Sequence, residues 1–195
     1  MRYRTILLFG APGSGKGTQG KTLGHLPGFF HCACGDVFRS LDTTTEIGQA
    51  FLQYSSKGQL VPDEITLTLW KARIKHQVEA KSFRPGSEFL VLDGIPRDVN
   101  QAILMRDMIE VVKVFHLTCP DRDQLIMRLK SRALKDNRID DANEEVIRKR
   151  LETYDAMSKP LLEHYPEECV ETVDALQPPA KVLHDILHRM LPLLG

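Results

Sequence analysis

Three groups of residues have the types and spacing for phosphate chemistry. Gly10-Ala11-Pro12-Gly13-Ser14-Gly15-Lys16-Gly17-Thr18 follows a short apolar run and opens a helical pattern. Glycines let backbone N–H groups curl around phosphate oxygens, and a helix start adds about half a positive charge. Lys16 brings a mobile point charge to the terminal phosphates. Gly17 stands directly after the lysine, so Thr18 is the hydroxyl expected near a magnesium ion. The strand, glycine loop and helix together predict a nucleoside triphosphate site.

The second group is Val91-Leu92-Asp93-Gly94-Ile95-Pro96-Arg97. An Asp at the end of an apolar run can simply cap a turn. Beside a phosphate loop it is better read as holding magnesium, directly or through water. Arg97, four residues on, is expected to face the same crevice. The third group is arginines. Arg150 falls within a helical stripe of Val146, Ile147, Leu151, Tyr154, Met157 and Leu161, at about 100° per residue. A charge on an apolar face needs a partner. A structural salt bridge is one answer; a phosphate in a closed site suits the guanidinium fork better. Arg132 lies near the edge of a Leu125, Ile126, Leu129, Ala133 stripe, with Arg128 one turn earlier and Arg138 in a polar stretch. Any one of them reads as a solvated surface charge. Around one phosphate loop they do not.

Elements must bring these groups together. Apolar runs at Thr5–Phe9, Phe29–Ala33, Phe89–Leu92, Val111–Leu117 and Cys169–Val173 alternate with amphipathic segments. Runs this short and rich in large apolar types fit strands buried on both faces. The alternation predicts βαβ units and a five-stranded parallel sheet, with right-handed crossovers gathering the strand ends along one edge. About 55 residues separate the second and third runs, far more than one crossover helix needs. Helices are expected there at Asp36–Leu41, Thr45–Ser56 and Asp63–Glu79, with Pro62 suited to a first turn. Ala133–Ala142 is polar and charged, of a length for a flap.

Composition narrows the partners. The 195 residues carry 26 Lys plus Arg against 26 Asp plus Glu, a formal net charge of zero. No overall field exists to hold a polyanion, so neither nucleic acid nor an acidic membrane is expected as main partner. Four cysteines, at 32, 34, 119 and 169, have neither disulfide-scaffold nor zinc-ligand spacing. They predict free thiols in a reducing compartment, hence a cytoplasmic protein. The apolar run before the glycine loop is too short to span a bilayer and has no A-x-A-like cleavage site after it.

On five separated motifs the chain resembles the nucleoside monophosphate kinases, specifically adenylate kinases of the short-lid kind. They are Gly10–Thr18, Gly35-Asp36-Val37-Phe38-Arg39, Gly58-Gln59-Leu60-Val61-Pro62-Asp63, Leu92–Arg97 with Gln101, and Arg138-Ile139-Asp140-Asp141 followed by Arg150. The resemblance covers nearly the whole length. It implies an α/β fold, a P-loop parallel five-stranded sheet flanked by helices, with a small helical insert for the nucleoside monophosphate and a short lid. Residues 1–34, 64–131 and 143–195 would form the core, 35–63 the insert and 132–142 the lid. The implied reaction is reversible transfer from MgATP to AMP, giving two ADP. By resemblance Gly13, Ser14, Gly15, Lys16, Gly17 and Thr18 cradle the ATP phosphates, Arg128 packs on the ATP base, and Gln177 touches that base through its backbone. Lys16, Arg97, Arg132, Arg138 and Arg150 are the catalytic cations, and Thr18 and Asp93 hold Mg2+ through water. Arg39 and Arg97 grip the acceptor phosphate. Cys34, Gln59, Leu60, Val61 and Gly94 line the acceptor pocket, and Gln101 reads its base. A monomer is expected.

Three departures bear on specificity and register. Cys34 stands where the family usually has a threonine beside the acceptor base, Ile95 replaces an aromatic, and one residue is inserted near Ala142. A UMP/CMP kinase of the same fold is the alternative enzyme. A nucleotide-dependent switch or binding module is the alternative of another class, without an Asn-Lys-x-Asp motif to support it.

Overall fold

The structure is a computed structural model, and it describes residues 2–136, 141 and 143–194. Five strands form one parallel sheet: β1 (Tyr3–Phe9), β2 (Phe29–Ala33), β3 (Phe89–Asp93), β4 (Ile109–Thr118) and β5 (Val170–Asp174), in the order β2-β3-β1-β4-β5. The apolar runs thus become strands, as their buried composition demands. Their ends differ by one or two residues. Asp93 extends β3 although it is polar, and Ile109 starts β4 ahead of the exposed Glu110.

Alternate side chains of β1 go to opposite faces. Leu7 and Phe9 join a core with Trp70, Phe38 and Met105 on one side, while Ile6 and Leu8 join Leu23, Phe115 and Ile186 on the other. The helices supplying these layers are α1 (Lys16–Leu23), α2 (Cys34–Arg39), α3 (Glu46–Ser55), α4 (Asp63–Glu79), α5 (Val99–Met105) and α8 (Pro179–Met190). Thr45 caps α3 by accepting from the Gly48 N–H, and Asp98 caps α5 through the Gln101 N–H. Each satisfies a donor that the helix start would leave open. Helix α2 begins at Cys34, two residues before the expected start. Asp36 lies in its first turn, where a negative charge suits the helix dipole, rather than ahead of it.

A third cluster joins α6 (Arg122–Asp136) to α7 (Glu144–Thr153) through Leu125, Ile126, Leu129, Ile147 and Leu151. The expected stripe on α7 stops short. A π-turn at Tyr154–Ser158 and a 3-10 turn at Lys159–His164, with Pro160 near its start, shift the phase, and Met157 is 47% exposed. Leu161 is buried nonetheless. Among the described residues no helix is long and apolar enough to cross a membrane.

Candidate active site

In a parallel sheet, ligands collect outside the C-terminal strand ends where the connections part to either side. Here that point is the end of β1, with β3 on one flank and β4 on the other. Leu8 pairs with Asp93 in register, so the carboxylate stands beside the loop that leaves β1. That loop turns sharply. Gly10 has φ +145°, and a Cβ there would stand 2.5 Å from the Leu117 carbonyl oxygen, so the position has no room for another residue. Ser14 Oγ is buried without a hydrogen-bond partner among the described residues. A buried hydroxyl left open suits a phosphate cradle.

A cleft of about 740 Å³ opens over this loop. Gly13, Ser14, Gly15, Lys16, Gly17, Thr18, Asp93, Gly94, Arg97, Arg128, Arg132, Arg150 and Gln177 line it, together with Arg39, Gln59, Leu60 and Val61 from the stretch between β2 and α4. Sequence positions spread over the whole chain therefore meet in one cavity. Lys16 Nζ donates to the carbonyls of Gly10 at 2.7 Å and Ala11 at 3.0 Å, which holds the ammonium over the loop. Burial lowers its pKa from 10.5 to about 8; Asp93 opposes that shift, and the Arg132, Arg150 and Arg97 charges add to it. The cation therefore dominates at neutral pH and is lost in mildly alkaline solution. Since kcat/KM follows the free enzyme, kcat/KM for ATP should fall as pH rises through about 8. Initial rates at subsaturating nucleotide check this, and a flat profile to about pH 9.5 contradicts it.

Arg132 and Arg150 share one partner. Arg132 bonds Asp141 Oδ2 through Nη2 at 2.6 Å and Nε at 2.8 Å, and Arg150 pairs with Asp141 Oδ1. Asp141 is 0% exposed. The sequence reading preferred phosphate to a structural salt bridge as the partner of Arg150; the structure shows a carboxylate partner. Arg150 and Arg132 still line the cleft, so the carboxylate orients both forks there. The Arg138 position lies outside the described residues.

Around the acceptor side, Arg39 bonds Asp36 at 2.6 Å, and Arg97 Nε donates to the Gly94 carbonyl at 2.8 Å. Gly58 has φ +67°, and a Cβ there would come within 3.0 Å of the Val146 carbonyl oxygen and 3.1 Å of Arg150 Cγ. This glycine lets the Gln59–Val61 wall sit directly against α7. On the opposite side Arg128 Nη1 donates to the Ala175 carbonyl at 2.9 Å, joining α6 to the turn that carries Gln177. The Gln177 side-chain amide donates to the Asp174 carbonyl and to Asp185, and the residue lines the cleft.

Two expected residues do not line the cleft. Cys34 is buried in the core with Phe38, flanked by Ala33 and Gly35, which do line it. Burial raises its thiol pKa, and that of Cys32 to about 12, so both are neutral. Gln101 is 0% exposed, its amide bonded to Asp63 and to the Arg97 backbone. Sequence reasoning also gave no role to Asp141 or to Tyr154. The tyrosine lines the cleft, with its hydroxyl 3.1 Å from His116 Nε2. An acidic pair within an arginine-rich stretch was the available signal for Asp141; for Tyr154 it was a place on the stripe that carries Arg150.

The family model for adenylate kinase matches residues 8–170. The adenylate kinase of a Cyanothece species is 36% identical over 197 residues, covering 97% of this chain and 96% of its own. That of Bacteroides thetaiotaomicron is 35% identical over 169 residues, covering 84% and 85%. The Flavobacterium psychrophilum adenylate kinase is 30% identical over 195 residues, covering 95% and 98%.

Proposed function

Because the chain belongs to the adenylate kinase family, we infer that its cleft moves the terminal phosphoryl group of MgATP reversibly to AMP, giving two ADP. The observation that carries this is one cavity holding a glycine loop with Lys16 and five arginines at 39, 97, 128, 132 and 150. Phosphoryl transfer needs no strong base and no covalent intermediate. It needs two phosphates in line and neutralised charge on the moving group. Lys16, Arg132 and Arg150 meet that demand on the donor side, with Arg138 joining them from the lid. Arg39 and Arg97 hold the acceptor phosphate. Gly13, Ser14, Gly15, Gly17 and Thr18 wrap the donor phosphates, and Arg128 and Gln177 flank the donor base.

The oxygen donors Thr18 and Asp93 fit a hard cation such as Mg2+, bound mainly by phosphate oxygens and water. Thr18 and Asp93 would hold the cation, which would supply charge to offset that of the phosphates during transfer. Residues 35–63 and 132–142 act as closing pieces, because water left in the cleft would hydrolyse the donor.

On the acceptor side, Gln59, Leu60, Val61 and Gly94 wall the nucleoside, with Cys34 behind them and Gln101 reading the base. A side-chain amide complements the donor and acceptor along an adenine edge. The neutral Cys34 thiol bonds a base edge more weakly than a hydroxyl, so the preference for AMP over pyrimidine monophosphates should be narrower than a threonine gives. Gln101→Ala should raise the KM for AMP with little change for ATP, measured by coupled assay at saturating partner nucleotide. Faster phosphorylation of UMP or CMP than of AMP by the wild type contradicts this reading.

A further inference from the structure

Gln101 is a polar amide with no exposure, and both of its ends are occupied. Its Oε1 accepts the Arg97 backbone N–H at 2.9 Å, and its Nε2 donates to Asp63 Oδ1 at 2.8 Å. The other Asp63 oxygen accepts from the Asn100 side chain. One carboxylate at the start of α4 is thus fastened to two successive residues of α5, 37 and 38 positions away in the chain. We propose that Asp63 is a positioning residue for acceptor recognition, fixing the orientation of the Gln101 amide and so the edge it offers to adenine. The proposal rests on the reading above that Gln101 meets the acceptor base.

A primary amide carries two N–H donors and two acceptor lone pairs. Asp63 uses one donor and the Arg97 N–H uses one lone pair. One donor and one lone pair are left, the complement of an adenine edge that offers an N6 donor and an N1 acceptor. Turning the amide over would set Nε2 against the Arg97 N–H and Oε1 against the carboxylate. Both contacts are repulsive, so an ionised Asp63 permits a single orientation. A backbone N–H alone fixes only the oxygen end, and the carboxylate makes the choice at the nitrogen end with a charge-assisted bond. Asp63 suits this post because it opens α4, where the helix dipole favours a negative charge. It also follows the Gln59–Val61 wall with only Pro62 between them. The amide is therefore held relative to the pocket wall as well as to its own helix, and through the Arg97 N–H relative to the acceptor-phosphate arginine.

The test is Asp63→Asn, which keeps the shape but sets one donor and one acceptor against two amide donors. Asn is well tolerated around a helix start, so the melting temperature should stay within a few degrees of wild type. The KM for AMP should rise about tenfold or more, as for loss of one well-formed hydrogen bond, with the KM for ATP within about twofold. The ratio of kcat/KM for AMP over CMP should narrow. Combined with Gln101→Ala, the change should add nothing to Gln101→Ala alone, because both act through one contact. An unchanged AMP KM and an unchanged AMP-to-CMP ratio in folded Asp63→Asn, beside a raised AMP KM in Gln101→Ala, overturn the positioning role and leave the base reading standing. If Gln101→Ala leaves the AMP KM unaltered, the base reading itself falls and the proposal with it. Should Asp63→Asn melt early, Asp63→Ser, another residue favoured at helix starts, is judged by the same two readouts.

Discussion

Lys16→Met should fold normally and lose at least about three orders of magnitude in kcat/KM, the scale for removing a preorganised charge from a transferring phosphoryl group. Methionine keeps most of the stem and drops only the ammonium. Stability should hold because burial in the cleft disfavours the charge. Burial lowers the Lys16 pKa from 10.5 to about 8, so the folded state disfavours the cation relative to the unfolded chain. The sign follows from that direction. Below about pH 8 both states carry the proton, and the folded state bears the full desolvation penalty; as pH rises past 10.5 the difference vanishes. Removing the ammonium relieves this penalty while losing two bonds to the Gly10 and Ala11 carbonyls. Thermal melting and steady-state kinetics on one preparation separate the two effects. Near-normal turnover in the folded variant sinks the assignment of the loop to ATP phosphates.

Arg150→Ala should lower kcat by at least about two orders of magnitude, the lower end of what arginines contribute to phosphoryl transfer. Its effect on stability should be small, for a reason visible only in three dimensions. Asp141 is fully buried, and an unpaired carboxylate there would be strongly destabilising. Arg132 stays bonded to it through two nitrogens, so losing Arg150 leaves the carboxylate with a partner. A large fall in melting temperature with turnover per folded molecule preserved would show that Arg150 is there to satisfy Asp141.

What could be read from the sequence depended on how far apart the interacting groups lie. The glycine loop, Asp93 at a strand end and the arginine spacing are local patterns with a chemical meaning of their own. The strands were legible because double burial leaves an unbroken apolar run. Their ends were not, because Asp93 and Glu110 continue the sheet without continuing the hydrophobicity. Arg150 stood out as a charge on an apolar face, yet its carboxylate partner sits nine residues earlier, ahead of α7. Helical phase predicted Leu151 and failed at Met157, where a π-turn lessens the rotation per residue. Gln101 was recognisable as an amide near the right loop. Its bond to Asp63 spans 38 positions, and no local periodicity encodes a contact of that kind.

The central strand has a history as well as a position. Residues Tyr3–Phe9 are the first element of the chain, yet they pair with nothing nearby: Thr5 lies against Leu90 and Tyr3 against Ile109. During synthesis the phosphate loop therefore leaves the ribosome on a strand whose partners β3 and β4 are made later. It cannot be braced until β3 arrives, nor enclosed on its other flank until β4 follows. Pairings this distant are slow to close, because the chain between them must lose its freedom before the contact gives anything back. In the interval Ile6, Leu7, Leu8 and Phe9 form an unprotected apolar edge, the kind of segment that associates wrongly with other chains. Arginine or lysine on the edge of such a strand is a usual safeguard; Arg2 precedes this one and Arg4 is its second residue. The same ordering makes the nucleotide site wait for β3 and β4 before it becomes competent, although its glycine loop is made before either.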